Sequence, residues 1–264
     1  MKVPAFVSRI SHGVQDWLLR HARLRIERVT PRAKRPDEEH RYAYQQKHID
    51  FNIPHGAKVL DIGSGGDPFP FATVLLDRYP DATQHRHAPM VRDGRLFVEA
   101  DVSEMPFEGN EFDYVYCAHV LEHVPDPLAA CREIMRVGRR GYIETPTLGK
   151  DLLFSWRVPD MHRWHVVAIA DNLCFFEVSR RQSEGIRSTV WQKLIFSKWE
   201  HPMQDAFFDN PDVFNVMFPW RDSFNVHVYR LDGGVESIKS EHHSRESRGN
   251  FPVPPARQVT PAGA

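Results

Sequence analysis

An α/β fold built around a mostly parallel sheet is predicted by three features of this 264-residue chain. Short apolar runs alternate with crossover segments, as a parallel sheet requires. One run leads into a glycine-rich loop within Lys58-Val-Leu-Asp-Ile-Gly-Ser-Gly-Gly-Asp67. Two later runs each close on an acid, Asp77 and Asp101. In open α/β sheets, nucleotide-like ligands sit at the carboxyl ends of the strands, beside such a loop.

The five residues ending in Asp61 read as a first buried strand, and Gly63 to Gly66 follow as a loop that can adopt positive φ and expose bare backbone. A dinucleotide fingerprint would read G-x-G-x-x-G here. This loop has Gly63 and Gly65, but Pro68 takes the third position, and Asp67 sets inside it a carboxylate that would repel phosphate and suit an ammonium or sulfonium ligand. Thr73 to Leu76 is a second apolar run ending in Asp77, placed to accept from both ribose hydroxyls. Pro68 and Pro70 leave room for only a shortened first crossover helix. Arg95 to Asp101 is a third strand and Phe112 to Ala118 a fourth. Asp126 to Val137 reads as a helix: Asp126 caps it, Pro127 suits its first position and Gly138 ends it. The runs 163–169 and 173–179 flank Ala170-Asp-Asn172 as a hairpin.

Four regions result. Residues 1–45 form a basic, amphipathic helical segment, 46–180 a ligand-binding core, 181–238 an aromatic-rich insertion with a last strand over 224–231, and 239–264 a polar, proline-rich disordered tail. Residues 1–36 carry a local charge of +7 and an apolar stripe at helical spacing through Phe6, Ile10, Val14, Trp17 and Leu18. Such a stripe faces either an anionic membrane surface, through residues 1–30, or the body of the domain, which is the commoner use. The aromatic insertion is a lid or an interface.

A formal charge of −1 and a pI near 7.0 argue against a whole-surface nucleic-acid binder. Cys117, Cys131 and Cys174 match no metal spacing and read as reduced core residues of a cytoplasmic protein. No apolar run approaches the ~18 residues of a membrane span, and the N-terminus lacks the apolar core of a signal peptide.

Several ordered motifs together resemble the class I S-adenosylmethionine-dependent methyltransferases, in particular their type 11 methyltransferase domain. They are Val59-Leu-Asp-Ile-Gly-Ser-Gly-Gly66, Ala100-Asp-Val, Met105-Pro-Phe, Glu111-Phe-Asp-Tyr-Val-Tyr, His119-Val-Leu-Glu-His-Val124 and Arg139-Arg-Gly-Tyr-Ile-Glu-Thr-Pro146. The resemblance implies a Rossmann-like three-layer sandwich whose mostly parallel seven-stranded sheet has Arg139 to Pro146 as its fifth strand and ends in an antiparallel strand. It also implies S-adenosyl-L-methionine as cofactor: Asp61 and the backbone of Gly63 and Gly65 would hold its methionine portion, Asp77 the ribose, and Asp101 with Val102 the adenine. Cys117, Ala118 and His119 would close the pocket near the methyl group.

The implied acceptor is a small molecule, a sugar or a lipid-linked compound. Nucleic acid is disfavoured, since Cys117-Ala-His-Val stands where amino-methyltransferases of nucleic acids carry (D/N/S)-P-P-(Y/F). A general base is needed only for a weak nucleophile such as a hydroxyl. His119, His123 and His162 are the catalytic candidates, with His165 beside them. His119-x-x-Glu122-His123 also matches the inverted zinc-protease motif. That motif needs a sustained helix and a third ligand, and Pro125 and Pro127 cut the helix short, so no metal is assigned. Two other readings stand beside methyl transfer: a catalytically silent methyltransferase-like binding module, and a nicotinamide-dependent oxidoreductase, which Asp67 and Pro68 oppose.

Overall fold

The computed structural model describes residues 41–81, 89–154, 162–179 and 210–240, together with Trp17, Arg20 and His21. The basic amphipathic stripe, most of the aromatic insertion before residue 210 and the tail beyond 240 lie outside the described residues.

A short helix, α1 (Arg41–Gln45), precedes four strands: β1 (Val59–Ile62), β2 (Val74–Asp77), β3 (Leu96–Glu99) and β4 (Tyr114–Ala118). The helix α2 (Pro127–Val137) returns to β5 (Arg140–Pro146), and α3 (Leu148–Phe154) follows. Then come β6 (Trp164–Ile169), β7 (Asn172–Glu177), α4 (Pro211–Phe214), β8 (Asn215–Arg221), β9 (Asn225–Tyr229) and β10 (Val235–Ile238). The main sheet runs β3-β2-β1-β4-β5-β8, parallel except for β8, which is antiparallel to β5. The order reverses between β1 and β4, so the crevice at their carboxyl ends is the topological switch point.

Four expectations need correction. The main sheet has six strands among the described residues, not seven. Its antiparallel edge strand is β8, inside the stretch read as an aromatic insertion, so Phe218 and Trp220 are buried sheet residues. The run read as the last strand is β9, and it belongs to a second sheet, β10-β9-β7-β6. The first crossover holds turns and no helix, because Pro68 and Pro70 leave no stretch long enough for one. The predicted hairpin is present as β6 and β7, turned by Ala170 at φ 53°.

Pleating divides the core between the two faces of the main sheet. Leu60, Ile62, Val115, Cys117 and Ile143 face α2 and the second sheet, meeting Leu128, Cys131, Ile134, Phe175, Val226 and Val228. All three cysteines are buried and free. Asp126 caps α2 by accepting from the N–H groups of Leu128 and Ala129, a contribution of about 1 kcal/mol. On the other face Val59, Leu75, Tyr114, Tyr116 and Tyr142 pack with Phe51 and Phe69. Phe69 stacks on Tyr116 at a centroid distance of 4.2 Å. With no crossover helix there, residues 42–57 cover this face, through Tyr42, Ile49, Phe51 and Ile53. No described helix is long and apolar enough to cross a membrane.

Candidate active site

Parity along the strands decides what reaches the carboxyl edge. Asp61, Asp77, Tyr116, Ala118 and Glu144 share the pleat parity of the aromatic face, so the polar ends of β1, β2, β4 and β5 meet the segment that starts at Arg41.

Gly63 (φ 69°) and Gly65 (φ 53°) make the loop, both in the left-handed region that favours glycine. A Cβ on Gly63 would lie 2.3 Å from Val120 Cγ2. The loop N–H groups are engaged within the protein. Those of Gly63 and Ser64 donate to the Leu76 carbonyl, and that of Gly65 to Asp77 Oδ2 at 3.2 Å. The Gly65 carbonyl in turn accepts from the Val91 N–H at 3.0 Å, so these backbone groups of the loop are spent on holding its shape. The Ser64 hydroxyl is buried with no hydrogen-bond partner among the described residues.

Asp77 ends β2, and its Oδ1 accepts from the Tyr79 N–H at 2.8 Å. Asp101 likewise caps a turn through the Ser103 N–H at 2.8 Å, and its Oδ2 pairs with Arg78 at 2.6 Å. Both acids thus close local turns, yet a carboxylate has about four acceptor sites, and such bonds leave capacity for ribose or adenine donors. Val102 beside them is buried. Asp61 is 1% exposed and accepts from the Phe69 N–H at 2.7 Å. Burial pushes its carboxyl up, to about 7.

Asp67 does not stand as a bare charge in the loop, contrary to the sequence reading. Arg41 meets it through its backbone N–H (3.1 Å) and its Nε (3.4 Å), while Nη1 donates to the Ala118 carbonyl at 3.0 Å. One guanidinium so ties the glycine loop to the end of β4, across the crevice. Sequence reasoning missed Arg41; its only signal is a basic residue just before the sheet begins.

His119 adopts φ 59° immediately after β4. Its Nε2 lies 3.1 Å from Glu144 Oε1 and its Nδ1 3.4 Å from Glu122 Oε1, so both ring nitrogens face buried carboxylates. Neither nitrogen thus points to open solvent as a general base would. Glu144, fully buried, also accepts from the Tyr44 hydroxyl, from Tyr142 at 2.5 Å and from Gln45 Nε2 at 2.9 Å. Burial raises its carboxyl, but His119 and the two tyrosine hydroxyls outweigh burial and hold it down at about 2.

His123 and His162 come together although 39 positions apart, their ring centroids 4.8 Å apart. The cause lies in the backbone: the Arg163 N–H donates to the Glu122 carbonyl at 2.8 Å and Trp164 Nε1 to the Val124 carbonyl at 2.7 Å. These bonds dock the entry to β6 against residues 122–124. Asp151, also missed from the sequence, accepts or shares a proton with His162 Nδ1 at 2.8 Å. Burial lowers the affinity of His162 for a proton, but that carboxylate outweighs it and raises the pKa. A separate cleft of about 440 Å³, lined by residues that include His55, Asp113, Arg139 and Arg221, opens at the amino edge of the strands, at the opposite end of the sheet.

A mostly parallel sheet with a glycine loop after β1 and acids ending β2 and following β3 has the arrangement at which open α/β sheets take up nucleotide-like ligands. The sequence places it further: residues 60–143 match the family described as "Methyltransferase domain". Residues 60–143 are thus similar to a methyltransferase domain, and the cofactor that the sequence resemblance implies is S-adenosyl-L-methionine. The chain is 34% identical over 95 residues to an uncharacterized methyltransferase of Mycobacterium sp. (strain KMS), a match covering 33% of this chain and 37% of that protein. It is 24% identical over 232 residues to the demethylmenaquinone methyltransferase of Staphylococcus aureus (strain MRSA252), covering 80% of this chain and 86% of that one. A chain of the solved complex between the Haloferax volcanii Trm112 methyltransferase activator and a methyltransferase aligns at 14% identity and a TM-score of 0.44, over 84% of this chain and all of that one. The chain spans little more than a third of the mycobacterial relative.

The residues present fit that cofactor on two observations. The Ser64 hydroxyl in the loop is a buried polar group without a partner among the described residues, and the carboxylates of Asp77 and Asp101 at the strand ends keep acceptor capacity beyond their turn bonds.

Proposed function

We propose that this chain transfers a methyl group from S-adenosyl-L-methionine to a small-molecule acceptor. The observation that carries the reading is the convergence of the glycine loop, Asp77 and Asp101 on one crevice, within a stretch that matches the methyltransferase domain. The cofactor supplies an electrophilic methyl on a sulfonium. Asp77 accepts from the ribose hydroxyls, and Asp101 with Val102 flanks the adenine. The bare loop at Gly63 and Gly65 leaves room for the methionine portion, and Arg41 is the cation that meets its carboxylate. Ala118 and His119 border the reacting methyl. Holding nucleophile, carbon and leaving sulfur in line in a water-poor crevice supplies much of the acceleration.

The acceptor enters on the side lined by His119, His123 and His162. The name of the staphylococcal relative points to a quinone-like ring compound, ahead of a sugar or a lipid-linked acceptor. A cytoplasmic location, with residues 1–30 touching an anionic membrane, would suit an apolar acceptor of this kind. Calorimetry with S-adenosylhomocysteine and with NAD, followed by a labelled-methyl turnover screen over quinols, sugars and lipid-linked compounds, tests the reading. S-adenosylhomocysteine should bind and NAD should not. A chain that binds neither, or one that binds the first and turns over none of the acceptors, would defeat it.

A further inference from the structure

We propose that Glu122, His123 and His162 form a binding site for one divalent transition-metal ion, with Asp151 as the outer carboxylate that orients His162. Among the described residues, one oxygen of Glu122 and one ring nitrogen of each histidine lie within 4.8 Å of one another. The Glu122 side chain is 1% exposed, and its Oε2 is buried with no hydrogen-bond partner among the described residues. A carboxylate taken out of water with an oxygen unsatisfied is costly unless a cation compensates it. His119 and His123 approach the other oxygen, at 3.4 and 3.7 Å, which leaves Oε2 without a counterpart there.

The outer groups match what metal-bound histidines require. Such histidines usually donate their second N–H to a carboxylate, which fixes tautomer and ring orientation. His162 Nδ1 lies 2.8 Å from Asp151 Oδ2, leaving Nε2 to coordinate. Asp151 is in turn fixed by its helix, where its backbone N–H donates to the Thr147 carbonyl at 3.1 Å. Glu122 and His123 sit in the turn that docks the start of β6, so the same backbone bonds that bring in His162 make the cluster rigid.

Two imidazoles and one carboxylate suit zinc, iron, manganese or cobalt rather than magnesium or calcium, and leave coordination positions open. Ligand atoms on one tetrahedral ion stand about 3.4 Å apart at bond lengths near 2.1 Å, so loading would draw these three groups in by about 1 Å. The open positions face the side assigned to the acceptor. There the ion would take an acceptor oxygen and make its proton easier to lose. That role rests on the methyl-transfer reading; the binding of the ion does not. The motif His119-x-x-Glu122-His123 misleads as to membership, since His119 turns to Glu144 and the third ligand comes from His162.

The test is metal uptake by the full-length, metal-stripped chain, titrated with Co²⁺ and followed by its ligand-field absorption, with Zn²⁺ calorimetry alongside. One equivalent should bind. His162→Ala should weaken binding by well over tenfold and Asp151→Asn by roughly 10–100-fold, as outer-shell changes do. Circular dichroism checks that each variant is folded. Glu122→Gln is a third arm; should it fail to fold, the more exposed His162 carries the test. No uptake by the wild-type chain overturns the site, and so does uptake unchanged in folded His162→Ala, which would put the ion on other histidines. Uptake that depends on His162 in a chain without methyl transfer leaves the metal site standing and removes only the methyl-transfer reading. Turnover in a chain that takes up no ion does the reverse.

Discussion

Replacing Gly63 by alanine tests the geometry of the cofactor loop without any ligand. Two costs add at this position. The backbone sits at φ 69°, where a non-glycine residue costs about 1–3 kcal/mol. The new Cβ would also lie 2.3 Å from Val120 Cγ2, and relieving such a clash in a packed site costs about 1–3 kcal/mol more. The sum, roughly 2–6 kcal/mol, is a large part of the ~5–15 kcal/mol that holds an ordinary domain together. Gly56 provides the control: it has φ 81°, and a Cβ added there would meet nothing within 4 Å, so Gly56→Ala carries the backbone cost alone. Urea unfolding of both variants isolates the clash as their difference, about 1–3 kcal/mol. Val120→Ala in the Gly63→Ala background should return most of that difference, a coupling a double-mutant cycle reads directly. Equal destabilisation at the two glycines, or a cycle with no coupling, would refute the close approach of the loop to the turn after β4.

The remaining predictions concern the acids. Asp77→Ala should weaken S-adenosylhomocysteine binding by about 1–3 kcal/mol in calorimetry, through lost hydrogen bonds to ribose and the released Gly65 N–H; unchanged affinity would remove Asp77 from the site. Asp61, raised from its usual range to about 7, binds its proton more tightly folded than unfolded, so its contribution to stability is present at low pH and lost as pH rises from about 4 to 7. Asp61→Asn, which can still accept from Phe69, should flatten that decline in a series of unfolding curves; an unaltered slope would assign it elsewhere. Glu144→Gln should cost about 1–3 kcal/mol by leaving a buried tyrosine hydroxyl or His119 without its acceptor, and Tyr142→Phe in that background should cost less than it does alone.

How much of this was legible follows from where each signal lives. The parallel strands β1, β2 and β4 were readable because buried parallel strands are largely apolar runs, whereas β5, with Arg140, Glu144 and Thr145 in it, was legible only through the family resemblance. The caps of α2 were readable because Asp126, Pro127 and Gly138 are local chemistry. Strand β8 was hidden by Pro219, a residue that argues against a strand unless the strand lies at an edge, as this one does. Strand β10 gave no signal because it is exposed along most of its length. The acids at Asp77 and Asp101 fell where they were expected, since their place is set by strand ends. Arg41, Tyr44 and Gln45 were not seen, because a five-residue helix has no periodicity to read.

The histidines show why a motif can be right in composition and wrong in membership. In His119-Val-Leu-Glu-His123 the spacing suggests two imidazoles one turn apart on a helix, but residues 121–123 form a turn. His119 leaves β4 in the left-handed region at φ 59°, a conformation no spacing rule reports, and this sends its ring to Glu144 instead. The second imidazole of the cluster at Glu122 comes from His162, 39 positions after His123, delivered by the N–H groups of Arg163 and Trp164 on the Glu122 carbonyl. The sheet therefore sets Asp77 and Asp101, which are local to strand ends and readable. The histidine cluster is assembled by contacts between a turn, the helix carrying Asp151 and the second sheet, and only the folded chain discloses that neighbourhood.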